Sequence, residues 1–454
     1  MIKQEFVDRE NELKILKEAY NSGRAEFIIL YGRRRIGKTE LIKKSKEAEK
    51  SIYFFVEEAL EEENLDSFKK QVAVFLSNPL IEKAELSWEE LFKEIAGEDN
   101  LVLIFDEFPN LIKENKGILS KFQKIWDELL VSTTIKLVVC GSSISMIESH
   151  LLGYQSPLYG RRTGQILLPP LKYYHIKEFI ELSTDDIIKV YGITDGIPYY
   201  ILDAAYRLKN KEKLEDIFLP GKILFEEAEI LIKYELRDPT RYYKILKAIS
   251  FGYTKFGDIV TYTGFNPSIV SQYLDNLLKL HIIEDTFPLG ERKEKSRNRR
   301  YMFLDNYFHF YFRFIYPNKS ELFETGRINN FEVKFNQYLG TVFEKVCKQY
   351  LLQKKDKLPF RFTKIGRWWH KDKEIDIVAI NEETKEIGFF ECKYRSLKLK
   401  EAKDILNELK EKSKYVDWDQ EKRTEYFGLI AKKIERKEVF RKDGSKIVFD
   451  FEDF

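Results

Sequence analysis

Gly32, Gly37, Lys38 and Thr39 stand at the spacing G-x-x-x-x-G-K-[ST] inside "EFIILYGRRRIGKTELIKK" (26–44), where an apolar run passes through a loop into a helix-like segment. Each residue type suits contact with a polyphosphate. Glycines let the backbone curl so that N–H groups from Gly32, Arg33, Arg34, Arg35 and Ile36 through to Glu40 surround phosphate oxygens, and the following helix adds its positive N-terminal end. Lys38 is expected to meet the β- and γ-phosphates, and the Thr39 hydroxyl to ligate Mg²⁺. The partner stretch is "NLVLIFDEFPNL" (100–111), whose apolar "LVLIF" delivers Asp106 and Glu107 at its carboxyl end. Ligands of parallel α/β sheets bind at that end. Asp106 is expected to hold the magnesium through water, and Glu107 to orient or deprotonate an attacking water. A third strand, "IKLVVCGSS" (135–143), ends in Ser142 and Ser143, placed to sense the γ-phosphate.

A second chemical pattern lies near the other end of the chain. In "GFFECKYR" (388–395), Glu391 and Lys393 are two residues apart, so on a strand they share one face while Cys392 takes the other. The strand before it carries Glu374 and Asp376, and a polar turn spans Asn381 to Glu386. Ile375 and Ile377, like Phe390 and Cys392, are expected to face the core. Pairing of the two strands then brings Asp376 and Glu391 to one rim. Two carboxylates can grip a hard divalent cation, and Lys393 can orient a water or stabilise charge in a phosphate transition state. "FNQYLGTVFEKVCKQYLLQ" (335–353) reads as an amphipathic helix with Glu344 on or near its apolar side.

The elements between are helical. "HIKEFIEL", "YYILDAAYRL" and "FEEAEILIKYEL" repeat apolar residues every three or four positions, as a lid over a sheet would. Residues 242–285 read as three short helices, the third opening at Asn266 to Ser268 with Pro267 in its first turn. A charged loop and a strand follow, the pattern of a winged helix-turn-helix, with Ser268, Ser271 and Gln272 toward the major groove if DNA binds. The loop 290–301 sets Arg292, Lys293, Lys295, Arg297, Arg299 and Arg300 against Glu291 and Glu294, a local +4 suited to phosphates or simply to solvent. The aromatic run 301–318 reads as core.

At 454 residues the chain is long for one core. Lys+Arg 77 against Asp+Glu 75 leaves +2, so no global field drives it onto nucleic acid or membrane. Cys140, Cys347 and Cys392 form no C-x-x-C pair, which argues against a disulfide frame and for a reducing cytoplasm. No run approaches the roughly 18 apolar residues of a membrane span.

The ordered set "FVDRENELKIL" (6–16), "GRRRIGKT", "LIFDEF", "VVCGSS", "PLYGRRTGQILLPPL" (157–171) and "DGIPYYI" (195–201) resembles the archaeal ATPase family, a branch of the AAA+/STAND nucleotide-switch class. The resemblance implies bound ATP and Mg²⁺, Val7 to Glu10 along the adenine side, Arg161 or Arg162 as arginine finger or phosphate sensor, and Pro198 as lid contact to the base. Asp376 followed by Glu391-x-Lys393, behind a helix bearing Glu344, resembles the PD-(D/E)xK restriction-endonuclease superfamily, with Ile375 in place of the leading Pro. That implies a second divalent ion on Asp376, Glu391 and Glu344. The expected architecture is α/β: a P-loop parallel sheet (1–168), a helical lid (169–238), a winged helix (239–318) and a restriction-endonuclease-like domain (325–454). The expected partner is DNA, with homo-oligomerisation open; a signalling ATPase that binds only proteins is the alternative.

Overall fold

A computed structural model of the chain describes residues 6–236, 238–291, 298–441 and 443–454. After helix α1 (Glu10–Tyr20), strand β1 (Glu26–Tyr31) is buried at every position, as a central strand covered on both faces must be. Helix α2 (Lys38–Ser45) leads to β2 (Ser51–Phe55), β3 (Val102–Asp106), β4 (Lys136–Gly141) and β5 (Gly164–Leu167). The sheet runs β2-β3-β4-β1-β5, every pair parallel, so all carboxyl ends lie along one edge. Behind β3, Phe105 meets the Phe122 ring edge-on at 5.4 Å and stacks on Phe92 at 6.1 Å, anchoring the strand that ends in Asp106.

Helices α3 (Thr184–Thr194), α4 (Pro198–Lys209) and α5 (Ile223–Glu235) cover that sheet edge. Helices α6 (Pro239–Ser250), α7 (Phe256–Thr263) and α8 (Pro267–Lys279) follow, then a hairpin of β6 (Ile283–Thr286) and β7 (Arg300–Phe303). Asn266 caps α8 by accepting the Ser268 N–H at 3.0 Å, ahead of Pro267 in the first turn. Arg292, Lys293, Glu294, Lys295 and Arg297 of the basic loop lie outside the described residues. Arg299 and Arg300 do not face outward to phosphates: Arg299 pairs with Asp285 at 3.0 Å and Arg300 with Glu374 at 3.1 Å. Helix α9 (Asn306–Phe310) begins the buried aromatic run and docks on the lid, the Tyr307 hydroxyl donating to Leu224 O at 3.0 Å.

Helix α10 (Phe331–Gln353) opens the C-terminal unit. Strands β8 (Lys364–His370), β9 (Lys373–Asn381) and β10 (Glu386–Leu397) form an antiparallel run. Helix α11 (Leu399–Ser413) crosses to β11 (Thr424–Ile434), parallel to β10, and β12 (Lys446–Phe449) completes the order β12-β11-β10-β9-β8. Helices cover both faces, so there are two apolar layers. Ile377, Phe390 and Cys392 join the layer of α10, while Ile375 and Phe389 join that of α11. The shared face expected for Ile375 and Ile377 is therefore corrected. Gly366 lies opposite Val378 but Trp368 opposite Ile375, so β9 carries one extra residue at Asp376–Ile377, a bulge that resets the alternation.

Candidate functional site

The loops after β1, β3 and β4 meet at the carboxyl edge of the first sheet. Gly37 has φ 97°, which a side chain would strain, and a Cβ on Gly32 would lie 2.8 Å from Leu168 O. Lys38 opens α2 and is almost wholly buried; its Nζ donates back to Gly32 O at 2.9 Å and to Arg33 O at 3.1 Å, spanning the loop. Burial lowers its pKa, opposed by Glu107 and Asp106. Thr39 Oγ1 donates to Asp106 Oδ2 at 3.2 Å, and the Tyr53 phenol donates to the same oxygen at 2.7 Å. Burial, and then that bond, push the Tyr53 phenol up. Glu107 holds a left-handed φ of 57°, and its Oε2 accepts from the Ser142 hydroxyl at 2.8 Å and N–H at 3.2 Å. A hydroxyl, the carboxylate it donates to and a second carboxylate thus share one rim with the lysine. Hard oxygen donors at Thr39 and Asp106 fit Mg²⁺.

Other expected residues fall elsewhere. Ser143 is not turned to this rim: with Ser145 it bonds Glu235 of α5, whose Oε2 accepts from Ser143 Oγ at 3.0 Å and Ser145 Oγ at 2.6 Å. The arginine side chains leave the loop, Arg34 and Arg35 for the lid and Arg33 for the segment around the start of α9. Arg33 forms an ion pair with Asp305 and lies 4.5 Å over the Phe308 ring; Arg34 lies 4.8 Å over Tyr234; Arg35 pairs with Glu227 at 3.2 Å. Beside the loop, Val7, Ile36, Leu171, Phe179 and Pro198 enclose a cleft of about 40 Å³ with Gly37, Glu40 and Arg9. Asp8 turns instead to His175 at 3.4 Å. Arg161 lies on the outer surface, where Nε and Nη2 both bind Asp127, each at 2.8 Å. Arg162 lies 5.8 Å from the Tyr159 ring centroid, with Nη1 buried and unbonded.

The second set also converges. Phe390 pairs with Ile377, so the next positions, Glu391 and Asp376, meet at the strand ends. Lys393 Nζ lies 2.6 Å from Glu391 and 3.7 Å from Asp376, and the Cys392 N–H donates to Asp376 Oδ2 at 2.8 Å. Burial, and then Glu391, push Asp376 up to about 6; burial pushes Glu344 up to about 8 although Arg367 sits 2.8 Å away. Glu391 is held below its usual range: burial opposes ionisation, but Lys393 and Lys412 outweigh it, the latter at 2.7 Å. Among the described residues no three acidic, histidine or cysteine side chains gather into a ready metal cage. Lysines fill the space between these carboxylates. Sequence reasoning missed Tyr53, Lys412, Arg367 and Glu235. A lysine near the end of an amphipathic crossover helix was the available signal for Lys412.

Comparison with known proteins supports an ATPase domain in the first half of the chain. An ATPase domain described as predominantly from Archaea matches residues 6–204, bacterial regulatory proteins of the arsR family match 238–285, and archaeal and bacterial proteins of unknown function match 311–405. An uncharacterized protein of Methanocaldococcus jannaschii is 44% identical over 99% of this chain and 100% of its own length. An uncharacterized ATP-binding protein of the same organism is 56% identical over 10% of this chain and 76% of its own. Among solved structures, a Walker-type ATPase of Pyrococcus abyssi aligns with a TM-score of 0.53 at 22% identity, covering 68% of this chain and 97% of that one, a likeness of fold. With its phosphate loop and parallel sheet, the chain carries an ATPase domain of the predominantly archaeal kind over residues 6–204, and it belongs to one family with the Methanocaldococcus jannaschii protein that matches it end to end.

Proposed function

We propose that this chain is a Mg²⁺-dependent ATP-hydrolysing switch whose nucleotide state governs a winged helix and a restriction-endonuclease-like unit acting on DNA. The observation that carries the reading is the single rim shared by Lys38, Thr39, Asp106 and Glu107, joined by the Thr39–Asp106 bond of 3.2 Å. The loop amides and Lys38 hold the phosphates, and Lys38 neutralises charge as the terminal phosphoryl leaves. Glu107, steadied by Ser142, receives the proton of the attacking water. Mg²⁺ held by Thr39 and Asp106 supplies Lewis-acid stabilisation of the phosphate oxygens. The adenine cleft of about 40 Å³ is far below the roughly 300 Å³ of ordinary ligand sites, so admitting a nucleotide moves the lid.

The units 1–168, 169–238, 239–318 and 325–454 are the proposed parts of that switch. In the last, Asp376 and Glu391 would hold a divalent ion, with Lys393 beside the scissile phosphate; Glu344, paired with Arg367 at 2.8 Å, does not complete a three-carboxylate set. The helix–three strands–helix–strand order of α10, β8–β10, α11 and β11 supports this reading. Lys38→Ala is expected to lower phosphate release at least ~100-fold; turnover retained in a clean preparation removes the ATPase assignment. Plasmid incubated with Mg²⁺ or Mn²⁺ should be cut by the native chain and not by Asp376→Ala, and identical products from both would reject the nuclease.

One observation favours a signalling ATPase that binds proteins: the exposed face of α8 offers Ser268, Ser271, Gln272, Asp275 and Lys279, one anion against one cation. ATP hydrolysis with no salt-dependent DNA affinity would support it.

A further inference from the structure

Two consecutive residues at the end of α5, Tyr234 and Glu235, reach all three segments that carry the phosphate-loop chemistry. The Tyr234 ring meets two cations. Arg34, in the loop after β1, stands 4.8 Å from its centroid, and Lys113, in the helix that follows β3 (Pro109–Glu114), stands 4.5 Å from it. Glu235 takes the segment after β4. Its Oε2 accepts from Ser143 Oγ at 3.0 Å, Ser145 Oγ at 2.6 Å and the Ser145 N–H at 3.2 Å, and its Oε1 accepts from the Ile144 N–H at 3.1 Å.

These bonds fall beside the residue that steadies Glu107. Strand β4 ends at Gly141, and the next residue, Ser142, holds Glu107 through its hydroxyl and its N–H. Glu107 stands at a left-handed φ of 57°, a conformation that a residue other than glycine keeps only when its surroundings hold it there. Ser142 and Ser143 are adjacent, their Cα atoms about 3.8 Å apart. Glu107 thus pins the segment at one residue and Glu235 at the next, in bonds that a carboxylate charge strengthens. Releasing Glu235 frees the backbone that aims Ser142, and a shift of about 1 Å at a reacting group can cost up to ~100-fold in rate. A bland role is also open to Glu235. The Ile144 and Ser145 N–H groups open a short helix and need partners. Capping alone predicts a loss of stability with no change in rate at saturating ATP.

We propose that Glu235 is a positioning residue for ATP hydrolysis: seated on the segment after β4, it fixes Ser142 and through it Glu107, so that turnover requires the end of α5 to be closed on the site. This rests on the reading of Lys38, Thr39, Asp106 and Glu107 as a hydrolytic site, and it names the lid residue that completes it. The test measures steady-state phosphate release and the binding of a fluorescent ADP by the full chain, with melting temperatures alongside. Glu235→Ala should lower kcat about 10-fold and leave KM and ADP affinity within about twofold. Glu235→Gln, which keeps one oxygen, should fall between it and the native chain. Because Glu235 acts through Ser142, the double variant Glu235→Ala with Ser142→Ala should be no slower than the slower of the two single ones. The proposal is overturned if both Glu235 variants keep the native kcat, if the two losses multiply in the double variant, or if ADP affinity falls as far as kcat does. Should Glu235→Ala melt early, Glu235→Gln is scored on the same readings. Lys38-dependent turnover that is indifferent to Glu235 rejects this inference and leaves the ATPase standing; no Lys38-dependent turnover rejects both.

Discussion

Asp106 Oδ2 receives two hydroxyl bonds, from Thr39 and Tyr53, and the second orients the carboxylate without touching a phosphate. Tyr53→Phe should therefore raise the Mg²⁺ concentration for half-maximal turnover several-fold and leave nucleotide affinity in EDTA unchanged. An equal loss of both would make Tyr53 merely structural. Ser142 plays the corresponding part for Glu107. Releasing it in Ser142→Ala should lower kcat about 10-fold, within the range of a misplaced general base, at constant KM, measured by steady-state phosphate release. Lys38, Thr39, Asp106 and Glu107 were readable because a phosphate loop constrains residue type and spacing at once. Tyr53 was not, because a tyrosine on an alternating strand carries no mark of what its hydroxyl meets.

Among elements, the phosphate loop and the chain after β7 are tied together by Arg33 and Asp305, with side chains 14% and 7% exposed. Asp305 precedes α9, and the partly buried Lys345 of α10 donates to Phe303 O at 2.8 Å and Asn306 Oδ1 at 2.8 Å. Lys345 adjoins Glu344, so loop, hairpin, lid and C-terminal helix share one polar seam. Removing one member of a buried pair strands the other: Arg33→Ala should cost about 3 kcal/mol in denaturant unfolding. Arg33→Met with Asp305→Asn should recover much of it. None of this seam was legible, because its partners are 272 positions apart and a three-arginine loop reads as phosphate binding. The alternation of β9 misled for a different reason: a bulge leaves no trace in an apolar pattern, and it decides which layer receives Ile375. The pairing of Asp376 with Glu391 was legible because a short polar turn forces neighbouring strands together.

For the whole molecule, one contribution to pH-dependent stability comes from His309. Its ring stacks on Phe303 at 4.9 Å, and burial, aided by Lys345 and Arg313, lowers its pKa to about 3 from 6.5. The unfolded chain therefore takes up a proton that the native one refuses. The stability from neutral His309 is present above pH 6.5 and is lost as pH falls toward 3, at up to about 1.4 kcal/mol per unit. The His309 contribution is the difference in urea midpoints between the native chain and His309→Gln, which should widen from pH 4 to pH 7; Glu344 and Asp376, raised to about 8 and about 6, titrate in the same range with the opposite sign in both proteins. Among the described residues no helix is long and apolar enough to cross a membrane. Strand β8 is the outermost of its sheet, and the main-chain bond from Leu289 to Arg367 caps part of it. A fragment starting after residue 325 would bare that border, with Trp368 and Trp369 along it, to any extended peptide. Such fragments should stack into soluble dimers or precipitate where the intact polypeptide does not, and a charged substitution at Ile365 should keep them apart.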